Sequence, residues 1–234
     1  LAKVNAPYVA RIATATTKLL ETVGALGDAA MAQPSLLPGW DRAMVVTHLA
    51  ANADGLHRVI EAAKVGEVGE FYPGGRPARD AEIEAGRGRP AVELYRRLEA
   101  SCERAMASLQ DASDELWHAP AVHPAGERQI GALVVARLRE VEVHHVDLDA
   151  GYSPADWPSE WVMEEMDRAM LDLPARLPHG VAVVLAATDA DQHWVAGSGE
   201  AVELAGPMAE LFAWLTGRSA TVGGSPAPAL APWR

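Results

Sequence analysis

Four stretches within the first 150 residues carry apolar side chains at helical spacing. This pattern, more than any other feature, restricts the front of the chain to a helical bundle. Helix faces repeat roughly every 3.6 residues, so positions three or four apart share a side. Segment 7–26 places Val9, Ile12, Leu19, Leu20 and Val23 on one such face, with Gly24 and Gly27 near its end. Segment 41–64 carries Val45, Leu49, Leu56, Val59 and Ile60. It follows Pro38-Gly39-Trp40, and Asp41 is suited to cap its first turn. Segment 90–110 opens on Pro90, a residue favoured where a helix starts, and carries Leu94, Tyr95, Leu98, Ala105 and Leu109. Segment 129–149 carries Ile130, Leu133, Val134, Leu138, Val141 and Leu148. Two long connections separate these helices: 66–89, rich in Gly, Pro and Arg, and 111–128, with Trp117, His118 and His123. Connections of that length in a compact domain often carry function.

The rhythm changes after Gly151. Pro154, Pro158 and a Trp-rich stretch mark a boundary, followed by a helix over 159–173. The apolar run Val181–Ala187 is short enough for a buried strand, with a turn at 188–191 and a returning strand at 192–195. A further strand over 201–204, a helix over 207–215, a last strand at 218–222 and an irregular Pro-rich tail complete the reading. The expectation is an α+β chain: a four-helix bundle over 1–152 and a small α/β domain over 153–234.

Charge narrows the partners. The formal net charge of -12 opposes nucleic-acid backbones and anionic membranes. No stretch is apolar enough to span a bilayer, and residues 1–13 lack a signal-peptide pattern, so a cytoplasmic location is expected. The single cysteine, Cys102, sits on an apolar stripe, the pattern of a small core residue. Thiol chemistry would therefore need a thiol from outside the chain.

Glu140 and His144 stand four apart and share a helix face at the edge of an apolar stripe. Charged Glu is rarely buried without a partner, and a cation would supply one. His48 lies within the stripe of the second helix and points to the same interior. Two His and one Glu make a three-ligand set with an open position, the pattern of catalytic zinc. Spacing alone leaves an ordinary hydrogen-bonded core as the alternative. His145 is turned about 100° from His144, which suits a polar core contact. Asp147 is either an acceptor behind a ligand or a surface charge. His57, His118, His123, His179 and His193 have the surroundings of surface or loop residues.

Several segments resemble the mycothiol-dependent maleylpyruvate isomerase family, whose N-terminal half belongs to the DinB-like metal-binding bundles. Leu37-Pro38-Gly39-Trp40-Asp41-Arg42 and Val46-Thr47-His48-Leu49-Ala50 are similar to the opening of the family's second helix, with its first metal histidine. Residues 77–86 are similar to its loop and short helix. Arg139-Glu140-Val141-Glu142-Val143-His144-His145-Val146-Asp147-Leu148 matches the segment with the other two ligands. Leu211, Trp214, Gly217 and Arg218 match its C-terminal helix and following arginine. The resemblance implies a metal site of His48, Glu140 and His144, holding zinc or another divalent ion, with mycothiol as cofactor. It implies thiolate addition to the cis double bond of maleylpyruvate, bond rotation and elimination to fumarylpyruvate, a step of the gentisate pathway. Arg79 and Arg218 are implied as partners for substrate carboxylate and enolate charge, and Arg137, Arg139 and Trp40 either line the site or pack structurally. A mycothiol S-transferase acting on another electrophile and a non-catalytic metal-binding bundle are the alternatives.

Overall fold

The computed structural model describes residues 6–232. Residues 1–5 and 233–234, the ends of the N-terminal stretch and of the Pro-rich tail, lie outside them. The chain divides into two compact units, Leu1–Tyr152 and Ser153–Arg234. No helix among the described residues is long and apolar enough to cross a membrane.

The first unit contains α1 (Ala6–Gly24), α2 (Asp28–Met31), α3 (Arg42–Lys64), α4 (Gly75–Glu84), α5 (Ala91–Asp111) and α6 (Ile130–Asp147). Both α1 and α3 pack against α5 and α6, which closes a four-helix bundle. The buried positions keep the expected period: Ile12, Ala15, Leu19 and Val23 on α1; Leu94, Leu98, Cys102, Ala105 and Leu109 on α5. Each fully buried Leu or Ile contributes roughly 1.5–3 kcal/mol. In α3, every side chain from Ala43 to Ala53 is buried. The helix is enclosed on all sides, so its polar members must find partners inside the protein. Asp41 caps it, its carboxylate accepting from the Met44 amide at 2.9 Å.

The two long connections are not independent. The first contains α4, held down by the buried Ile83. The second contains a 3-10 turn (Asp114–His118) and a hairpin of β1 (Pro120–His123) and β2 (Gly126–Gln129). Backbone bonds join them: the Phe71 amide donates to the Val122 carbonyl at 2.8 Å, and the Val122 amide to that of Gly69 at 2.9 Å. Gly55 of α3 makes this possible, because a Cβ there would lie 2.6 Å from the Phe71 ring. The end of α6 is fastened as well. Arg42 donates Nε to the Leu148 carbonyl (2.6 Å) and Nη2 to that of Asp149 (2.5 Å), occupying carbonyls that a helix end leaves open.

The second unit contains α7 (Ser159–Arg176), β3 (Val181–Ala187), β4 (His193–Gly197), β5 (Glu200–Gly206), α8 (Met208–Leu215), β6 (Thr221–Val222) and β7 (Ser225–Pro226). The sheet has the order β4-β3-β5, with β4 antiparallel and β5 parallel to β3. The chain leaves β4 and passes the start of β3 through Gly199, at φ 118, where a Cβ would lie 2.1 Å from the Gly180 carbonyl oxygen. Trp157, Trp161 and Phe212 form an edge-to-face cluster beneath α7 and α8. The strand expected at 218–222 begins only at Thr221. Gly217 (φ 77) ends α8, and the Gly217 and Arg218 amides donate back to Trp214 and Ala213. This helix-ending motif takes up the backbone that a strand would need.

Candidate metal centre

His48 from α3 and Glu140 and His144 from α6 converge, with candidate ligand atoms all within 4.8 Å of one another. His48 Nε2 lies 2.7 Å from Glu140 Oε2, and His144 Nε2 lies 3.4 Å from the same oxygen. The two imidazoles stand perpendicular, with centroids 4.7 Å apart. His48 is 3% exposed, His144 16% and Glu140 31%, so the cluster is closed on the bundle side and open beside the carboxylate. Behind His144, Nδ1 meets Asp147 Oδ2 at 2.7 Å, and Asp147 is fully buried. Asp147 is thus the acceptor behind a candidate ligand, not a surface charge. Such an acceptor fixes the ring so that Nε2 faces the cluster.

Burial dominates at His48 and holds its pKa at about 4 against the pull of Glu140. Its ring is neutral at pH 7 and keeps a lone pair for a cation. At Glu140, burial works upward but contacts with His48 and His144 hold the carboxyl well below its usual range. Burial also works against the charged form of His144, yet its bonds to Asp147 and Glu140 carry its pKa upward. Two imidazoles and one carboxylate fit a divalent first-row ion, and three protein ligands leave a position open.

Arg79 of α4 reaches this cluster. Its Nη2 lies 3.3 Å from His48 Nδ1, its Nη1 donates to Asp80 at 2.8 Å, and its guanidinium lies 5.8 Å from the centroid of the Tyr72 ring. Tyr72 escaped the sequence reading. Burial together with the charge of Glu140 pushes its pKa up to about 12, against the opposing pull of the neighbouring Arg79 and Asn52. Nothing in its neighbourhood in sequence signals this position, which arises from the docking of the two long connections. Trp40 packs edge-on to His48 at 5.8 Å.

Arg137 pins helices together. It donates to the Leu49 carbonyl (3.0 Å), to Asn52 Oδ1 (2.9 Å) and to Cys102 Sγ (3.4 Å). Cys102 is buried, and burial pushes its thiol pKa up, so it remains protonated. His145 meets Thr22 Oγ1 at 2.7 Å and stacks on Tyr152, the polar core contact expected of it. His118, His179 and His193 are exposed. His57 and His123 differ from the expectation: His57 is half-buried on Ser108 Oγ at 2.8 Å, and His123 is half-buried against Phe71. Arg139 is half-buried. Arg218 belongs to the second unit, where its Nη1 donates to the Thr216 carbonyl at 2.5 Å.

The pattern of a family described as mycothiol maleylpyruvate isomerase N-terminal domain matches residues 12–149, more than half of the chain and the whole of the metal cluster. The chain belongs to this family. Two solved structures resemble it: the crystal structure of a mycothiol-dependent maleylpyruvate isomerase and that of a histidine-to-alanine mutant. Each is 22% identical, with a TM-score of 0.87, over 97% of this chain and 96% of the other. At that identity the likeness establishes the fold, an α+β architecture shared along nearly the whole length. No curated protein matches the sequence. The family's bundle thus accounts for the first unit, and His48, Glu140 and His144 are this member's candidate ligands.

Proposed function

We propose that this family member is a zinc- and mycothiol-dependent cis–trans isomerase of maleylpyruvate. The observation that carries the reading is the convergence of His48, Glu140 and His144 on one point, with Asp147 orienting His144. Family membership supplies the thiol and the substrate class. A zinc ion held there would favour the thiolate form of a bound thiol, the nucleophile for reversible addition to an activated alkene.

The chain's own groups have separate tasks. His48 is already neutral and can ligate without losing a proton. Asp147 holds the Nδ1 proton of His144 so that Nε2 is the ligating atom. Arg79, beside the cluster, suits a substrate carboxylate or the enolate charge that develops when the double bond is attacked. Arg218 is proposed for a second substrate carboxylate. Cys102 takes no part, because it is buried and protonated. The cytoplasm, where low-molecular-weight thiols stay reduced, suits this chemistry.

The test is isomerisation of maleylpyruvate by metal-analysed protein, with and without mycothiol. Turnover that requires both metal and thiol is expected. Turnover without thiol would overturn the reading. A bound metal and thiol with no isomerisation would instead favour an S-transferase.

A further inference from the structure

The second unit holds a cavity of about 370 Å³ formed by the end of α7, the end of α8 and the tail 227–232. Among the described residues no acidic side chain lines it, although the chain carries a net charge of -12. Two arginines do, Arg176 and Arg218. Arg176 is only 8% exposed. Its Nε donates to the Ala231 carbonyl at 3.0 Å and its Nη2 to that of Leu215 at 2.8 Å. Its Nη1 is buried and has no hydrogen-bond partner among the described residues. The acid acting on it is Asp172, an exposed residue one turn earlier on α7.

A buried guanidinium with unmatched N–H groups is costly, and an anion brought from outside would remove that cost. The remaining wall decides which anion. Trp214, Ala220, Pro228 and Leu230 offer apolar surface, and the Trp214 indole N–H is already committed to the Pro228 carbonyl at 2.9 Å. Bare inorganic phosphate would leave that surface uncovered. A planar carboxylate on a small apolar body satisfies both parts of the wall.

We propose that this cavity binds a small organic carboxylate, with Arg176 as charge partner and Trp214, Pro228 and Leu230 against the ligand's body. The cover is the tail itself, whose Ala231 amide donates to the Arg176 carbonyl at 2.9 Å. The inference stands on this cavity alone, whatever the metal centre transforms.

The probe is benzoate, titrated calorimetrically into the full chain, both metal-loaded and treated with chelator. One benzoate per chain is expected in both forms, with no binding of benzamide, which has the same ring without the charge. Arg176→Met and Ala220→Glu should each weaken binding by about tenfold or more. Because Arg176→Met also loosens the tail, Ala220→Glu decides: the position is exposed, so melting should be unchanged while the new carboxylate repels the ligand. Equal binding of benzamide, displacement by equimolar phosphate, heat seen only in the metal-loaded form, or an unchanged Kd in Ala220→Glu would each overturn the proposal.

Discussion

Two buried polar clusters lie between the same pair of helices, α3 and α6, and they are built in opposite ways. Arg137 offers N–H groups, and its partners are acceptors: the Leu49 carbonyl, Asn52 Oδ1 and Cys102 Sγ. His48, Glu140 and His144 instead aim acceptor atoms at one point. One cluster is complete as it stands. The other gathers lone pairs and a carboxylate that a cation would complete. The difference teaches that burial of polar groups in a bundle is no sign of a site by itself; the sign is convergence of groups of like character.

If the contrast is right, the two clusters fail differently. His48→Ala should abolish stoichiometric metal, weakening affinity by more than about a hundredfold, since even outer partners of ligands cost tenfold or more. The fold should survive, so metal analysis and circular dichroism on one sample check both halves; full metal retention would erase the distinction. Arg137→Met should do the reverse. It strands the Asn52 and Leu49 oxygens and should cost about 2–3 kcal/mol of stability in denaturant unfolding. Its metal content should stay near one per chain.

Asp147→Asn is a finer cut. It keeps the shape but weakens the hold on the His144 Nδ1 proton, and metal affinity should fall by about tenfold in a competition titration. An unchanged affinity would make Asp147 a packing residue. The smallest effect belongs to His123, outside both clusters. Burial lowers its pKa below 6.5. The unfolded chain then binds the proton more readily, so His123 adds stability above about pH 6.5 and loses it as pH falls through the depressed value. His123→Phe keeps the ring beside Phe71 and Tyr72 and should flatten that acid-side slope in melting curves, leaving metal content unaltered.

The bundle was legible because each of its long helices buries one continuous face, and burial writes its period into the sequence. Ile12, Leu19 and Val23 or Leu94, Leu98 and Leu109 could hardly be read otherwise. The Glu140–His144 pair was legible for the same reason, since both lie on one helix. The connections were not, except for the short helix that the family resemblance implied over 77–86. The helix α4 has few buried residues to carry a pattern, and the β1–β2 hairpin is largely exposed on β2. The end of α8 misled for a third reason: Arg218 and Ser219 turn back onto Ala213 through a glycine, and that cap has no periodicity.

The sequence by itself determined the two-part division of the chain, the helices of the bundle and the spacing that puts Glu140 and His144 on one face. These follow from local rules of helix geometry and from which side chains water rejects. Only the tertiary structure decided that His48 meets them, that Asp147 stands behind His144 and that Arg79 and Tyr72 border the cluster. Residues 92 positions apart, as His48 and Glu140 are, have no shared period. Their meeting depends on how α3 and α6 pack and on backbone bonds between two loops, which no single segment encodes.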